Sequence, residues 1–189
     1  PPHAARKLGE LAPIGVQLAA EAVAAGHAAD STLANHFRSH RELGSRDRRF
    51  LSDLVFSYFR WRGWTRNLDT GPALVLSHRL DAAEIHPSIS ILADTPDLQP
   101  LGKLSIDEKA AAVGMRADDL FPAWLHDALY EPEEHFGKYI AAFQKRPPTW
   151  LRIAKGHEQE QGFTERHETI RDAVAVSGSP VISSPHIEI

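Results

Sequence analysis

Cysteine is absent from the 189 residues, and methionine occurs once. Without cysteine there are no disulfides, no thiolate zinc sites and no cysteine nucleophile within these residues. Long apolar runs are missing too: nothing approaches the ~18 residues of a membrane-spanning helix, and no charged-then-apolar leader opens the chain. The cytoplasm is therefore the expected compartment. No two glycines stand two apart, which removes even the weak signature of a dinucleotide-type phosphate loop. The chain opens at Pro1 without a methionine, so a piece of a longer protein is expected.

What is present suffices for a core. Hydrophobic residues at 42 % and charged residues at 24 % allow one ordered domain, or one domain with part of another. Charge is unevenly spread. Between Arg38 and Arg66 stand eight arginines (Arg38, Arg41, Arg46, Arg48, Arg49, Arg60, Arg62 and Arg66) against Glu42, Asp47 and Asp53, a local excess of positive charge in a chain whose total is −4. No lysine occurs in that stretch. Guanidinium grips phosphate through a planar fork and stacks on rings, so arginine-only usage beside Phe56, Phe59, Trp61 and Trp64 suits RNA. The competing reading is a solvated helix face that keeps the domain soluble.

Ser45, after a break at Gly44, is the expected N-cap of a helix whose Phe50, Leu51, Leu54, Val55, Tyr58 and Trp61 form one apolar arc. The opposite side collects Arg49, Asp53, Phe56 and Arg60, with Arg46 at one edge of the arc and Arg48 and Arg62 at the other. Asp53 is placed to pair with Arg49, and Arg60 to lie over Phe56. Trp61 reads as core, while Trp64 stays open between core and stacking surface.

Other helices are expected on both sides. An Ala- and Leu-rich one runs from about Leu8 to Ala25, its start weakened by Pro13 and Gly15. A second covers residues 31–40, capped by Asp30 or Ser31. Thr70 and Pro72 supply a cap and a first-turn proline to a helix ending near Ala83. Residues 86–105, broken by prolines, read as a short helix and a loop. Ser105 and Glu108 form a capping-box pattern ahead of residues 106–114. Asp118 to Tyr130 reads as one helix with Pro122 in its first turn and Trp124 in the core. Glu131 to Gln144 follows, burying Phe136, Tyr139, Ile140 and Phe143.

The texture changes at Pro147-Pro148. TWLRIA then alternates as a strand, residues 163–178 return to helical period, and the last ten residues look extended. The fold class expected is mainly α: a helical bundle over 1–146, then the start of a small α+β module over 147–189 that ends before it can cover itself.

Two blocks support a family resemblance. RELGSRDRRFLSDLVFSYFR resembles the RDRxFxxxLVxxxLR helix in the NusB-like amino-terminal domain of the Sun, or Fmu, family of bacterial RNA (cytosine-5) methyltransferases. LFPAWLHDALYEPEEHFGKYIAAFQKRPPTWLRI is similar to that family's P-x-W-L helix followed by R-P-P-x-W-L-R at the entry to an RRM-like module. Stand-alone NusB transcription factors share only the first block. The resemblance implies a NusB-like bundle whose arginines hold rRNA or tRNA. An RRM-like module and a catalytic domain binding S-adenosylmethionine would follow, the latter outside these residues. The family's two catalytic cysteines have no counterpart here, so no catalytic or cofactor-binding residue is expected within the chain. Its own methyltransferase domain would be a second partner beside RNA. Two departures stand out: Ala154 occupies the family's Asn position, and residues 78–104 are short and proline-broken. A NusB-like module docking a protein partner is the alternative function, and packing of the arginines on the acids of the catalytic domain a third.

The remaining constellations favour ordinary structure. His36 and His40 have i, i+4 spacing, but Phe37 stands where H-E-x-x-H has its glutamate and no third ligand follows, so no metal is expected.

Overall fold

The computed structural model describes residues 2–93, 98–128, 133–145, 149–153, 165–166, 170, 173–176 and 187–188. It is mainly helical, with a small antiparallel sheet. In order come α1 (Pro2–Ala25), α2 (Ala29–Ser39), α3 (Ser45–Arg60), α4 (Arg62–Thr65), α5 (Thr70–Asp81), α6 (Pro87–Leu92) and α7 (Ile106–Val113). A 3-10 turn (Ala117–Leu120), α8 (Ala123–Ala128) and α9 (Glu133–Gln144) follow, then strands β1 (Thr149–Ile153), β2 (Glu165–Arg166), β3 (Ala173–Val176) and β4 (Ile187–Glu188). The chain divides into two compact units, residues 1–142 and 143–189.

The helical unit is built around α3, which packs on α1, α2 and α5. Its apolar arc buries Leu51, Leu54, Val55, Tyr58 and Trp61 almost completely, with Phe50 half-buried at the margin. Each such side chain contributes about 1.5–3 kcal/mol by leaving water. Leu54 and Tyr58 join Ala12, Ala19, Leu74 and Ile89 in one cluster, and Trp61 joins Trp64, Leu80, Leu120 and Ile140 in another. Glycine lets two elements close in. A Cβ on Gly15 would meet Leu54 Cδ2 at 2.6 Å, and one on Gly63 would run into the backbone carbonyl of Leu120. Gly15 therefore does not interrupt α1. The helix runs through both Pro13 and Gly15 because that face buries Leu11, Ala12, Leu18, Ala19 and Ala22, and packing outweighs propensity.

Helix ends differ from expectation in small ways. Gly44, not Ser45, precedes the first helical residue of α3, and its N–H donates to Asp47 Oδ2 at 3.2 Å. Neither Asp30 nor Ser31 caps α2, since both lie inside its first turn. Thr70 is likewise inside α5. The Ser105 box forms in full: Glu108 N–H donates to Ser105 Oγ at 3.3 Å, Ser105 N–H donates to Glu108 Oε2 at 2.8 Å, and Gly114 closes α7 in the left-handed region. These bonds hold the Glu108 carboxyl below its ordinary value, the backbone donor contributing most.

Residues 118–130 are not one helix. Pro122 cannot donate an N–H to continue the 3-10 turn, so α8 restarts at Ala123, and Trp124 is 64 % exposed instead of lying in the core. In α9, Ile140 is buried and Phe136 and Tyr139 are half-buried, but Phe143 is exposed.

In the second unit, β1 pairs antiparallel with β3 and β4, and β2 pairs antiparallel with β3, giving the order β2-β3-β1-β4. Leu151, Ile153 and Val174 are buried, and Leu151 stands opposite Val174. The helix expected over 163–178 is corrected in its described part: 165–166 and 173–176 are strands. Alternating Ala and Val satisfies period two as well as period four, and the ladder to β1 decides between them. The expectations for 146–148, Ala154 and 180–186 lie outside the described residues.

Candidate nucleic-acid interface

The eight arginines separate into two groups. Arg38, Arg41, Arg46, Arg49 and Arg66 are exposed; Arg48, Arg60 and Arg62 are half-buried. Four of the exposed ones gather where α2 turns into α3. Arg38 Nη1 donates to Asn35 Oδ1 at 3.1 Å, one turn back on α2. Arg46 and Arg49, three apart on α3, are neighbours on one side of the helix. Among the described residues no ion pair holds Arg46 or Arg49, and the expected pair of Arg49 with Asp53 does not form. Arg66 stands alone, beyond the far end of α3, a helix of 16 residues and so about 24 Å long.

Arg48 braces this corner from inside. Its Nε donates to the Leu43 carbonyl at 2.9 Å, Nη2 reaches the Arg41 carbonyl at 3.5 Å, and the guanidinium lies 5.7 Å from the centre of the Phe37 ring. It therefore orders the loop that carries Arg41. Asp47 Oδ2 accepts the Gly44 N–H at the start of α3.

The other end of α3 is internal. Arg60 does not lie over Phe56; its Nη1 donates to Asp81 Oδ1 at 2.7 Å, with 14 % and 11 % of the two side chains exposed. Trp61 Nε1 donates to the same oxygen at 3.3 Å, and Lys109 Nζ stands 4.8 Å from the Trp61 ring centre. Lys109 is 7 % exposed, and burial lowers its ammonium below its ordinary value, a change that Asp81 opposes and Arg60 reinforces. Arg62 donates to the Thr65 carbonyl at 3.0 Å and lies 5.2 Å from the Tyr58 ring centre. Trp64, left open by its sequence position, is core: it is 2 % exposed and its Nε1 donates to the Arg116 carbonyl at 2.8 Å.

His36 and His40 stack with ring centres 4.0 Å apart, and His40 Nδ1 donates to the His36 carbonyl at 3.0 Å. Burial, then the neighbouring His40, lowers His36 below its ordinary value against the pull of Glu21 and Glu42. Among the described residues no group of three or more His, Asp or Glu is arranged to hold a metal ion, and no helix among them is long and apolar enough to cross a membrane.

Sequence reasoning missed Asp81 and Lys109, which sit on other helices and carry no local signal. It also missed a groove of about 330 Å³ along α5 and α6, lined by Val75, Leu76, Leu92, Leu98 and Arg79 among the described residues. No family model, curated protein or solved structure matches the chain.

Proposed function

We propose that the helical unit holds RNA by its phosphates through Arg38, Arg41, Arg46 and Arg49. The observation that carries this reading is where the charges stand. Arg46 and Arg49 lie in the first turns of a 16-residue helix, at the positive end of its dipole, where a cation costs a few tenths of a kcal/mol. They form no ion pair among the described residues, so no described carboxylate accounts for their placement. Two exposed cations held against the helix dipole are best explained by a polyanion. Arginine forks suit phosphate, and phosphate contacts position without reading sequence.

The resemblance of the arginine block and of the RPPTWLR block to the Sun/Fmu methyltransferases extends the proposal. The chain would be the RNA-engaging, NusB-like and RRM-like part of an S-adenosylmethionine-dependent RNA (cytosine-5) methyltransferase acting on rRNA or tRNA in the cytoplasm, with transfer performed by a domain outside these residues. The order β2-β3-β1-β4, antiparallel throughout, supports the RRM-like part, because a split β-α-β design places its strands in that order. Arg48, Arg60 and Arg62 drop out of the proposed contact set, being engaged within the protein, and Arg66 is peripheral to it.

The test is binding of a structured RNA at several salt concentrations, comparing the chain with an R46E/R49E variant. The expected result is a steep fall in affinity with salt for the parent protein and a weaker, flatter dependence for the variant. Equal affinities would overturn the proposal, and binding of an acidic protein surface without salt-sensitive RNA binding would favour the docking module.

A further inference from the structure

Two histidines outside the arginine belt hold α6 in place. His86 precedes α6 and caps it: its Nδ1 accepts the Ser88 N–H at 3.2 Å. The backbone N–H of His86 in turn donates to Nε2 of His78, in the last turn of α5, at 3.2 Å. Phe50 of α3 closes the arrangement, its ring stacked on His86 at 3.8 Å between centres and edge-on to His78 at 6.3 Å. Each imidazole uses a ring nitrogen as an acceptor, which a neutral ring can do at only one nitrogen and a protonated ring at neither. Capping through Nδ1 therefore requires the His86 ring to be neutral.

What these rings hold is fragile without them. The six residues of α6 are far too few for a helix to persist alone, yet they place Ile89 and Ser88, both fully buried, against the cluster formed by α1, α3 and α5. We infer that His86 is an acid-released latch: its protonation removes the cap and loosens the docking of α6 while the α3 core stays folded.

Charged side chains are described on each surrounding element. Glu10 lies on α1, Arg49 and Asp53 on α3, Arg79 and Asp81 on α5, and Glu84 in the connection. Arg79 is bound to the Gln99 carbonyl and Asp81 to Arg60. Burial alone lowers His86 below its ordinary value of 6.5, with no contribution from a charged group among the described residues. For a histidine lowered on folding, the neutral form is the folded form. The latch is fully closed above pH 6.5 and is released as pH falls from there through the lowered folded value.

The experiment is amide hydrogen exchange between pH 7.5 and 5, expressed as protection factors, with the His86 ring titrated by NMR in the same samples. Protection of Ser88 to Leu92 should fall at least about fivefold on acidification, the factor that loss of one N-cap produces, while Leu54 to Tyr58 keep theirs. In an H86N variant, whose asparagine caps without titrating, protection of α6 should not change with pH. A His86 value at or above 6.5, or an equal loss of α6 protection in wild type and H86N, would overturn the latch.

Discussion

The two ends of α3 use the same residue type in opposite ways. At its start, Arg46 and Arg49 face water against the helix dipole; at its end, Arg60 is clamped to Asp81, with Trp61 and Lys109 around it. One end is built as the fold requires and the other in spite of it. The difference teaches that an arginine's number in a cluster says little about its role until its acid partner is known. Breaking the comparison means showing that the inner end tolerates change or that the outer end does not.

The largest effect should come from Asp81→Ala. It leaves the Arg60 guanidinium without its carboxylate, strips the Trp61 indole of an acceptor, and places buried Lys109 beside an unopposed cation. A partly buried pair broken on one side costs about 3 kcal/mol, read as a clear drop in urea midpoint. Next is Gly63→Ala. The new methyl group meets the Leu120 backbone, which has no rotamer to yield, so a loss of about 2 kcal/mol is expected in the same assay. Arg48→Ala ranks third, at about 1 kcal/mol, since it orphans the Leu43 carbonyl and loosens the turn between α2 and α3. If thermal melts of Asp81→Ala and Arg46→Ala coincide, the division between the two ends is wrong.

Much of the helical unit was legible because its signals are local. The apolar arc of α3 recurs at helical spacing, and Ser105 with Glu108 states a helix start within four residues. The misreadings share a different cause, namely partners far along the chain. Arg60 looked set to lie over Phe56 because Asp81 lies 21 residues away, and Trp124 looked like core because periodicity cannot reveal that Pro122 restarts the helix. The strand at Ala173–Val176 is fixed by its ladder to β1, more than 20 residues upstream, so its own short alternation could be taken for a helix. The exposed arginine corner sits between these cases: its charge is plain in the sequence, but which arginines remain outside is a tertiary fact.

The smallest expected change in stability belongs to the outer arginines, and it sharpens the contrast most. Replacing Arg46 by Glu exchanges a cation for an anion at the start of α3, so stability should rise by a few tenths of a kcal/mol. Replacing Arg38 or Arg66 by Ala should leave it within about 0.5 kcal/mol. RNA affinity separates these variants where stability does not. If the corner grips phosphates, each arginine removed from it lowers the slope of log affinity against log salt by about one. Arg66 follows the far end of α3, whereas Arg46 and Arg49 lie in its first turns, so Arg66→Ala should leave that slope unchanged. A slope that falls equally for Arg38→Ala and Arg66→Ala would mean that positive charge anywhere on the unit suffices, and the corner would then have no claim to be the interface.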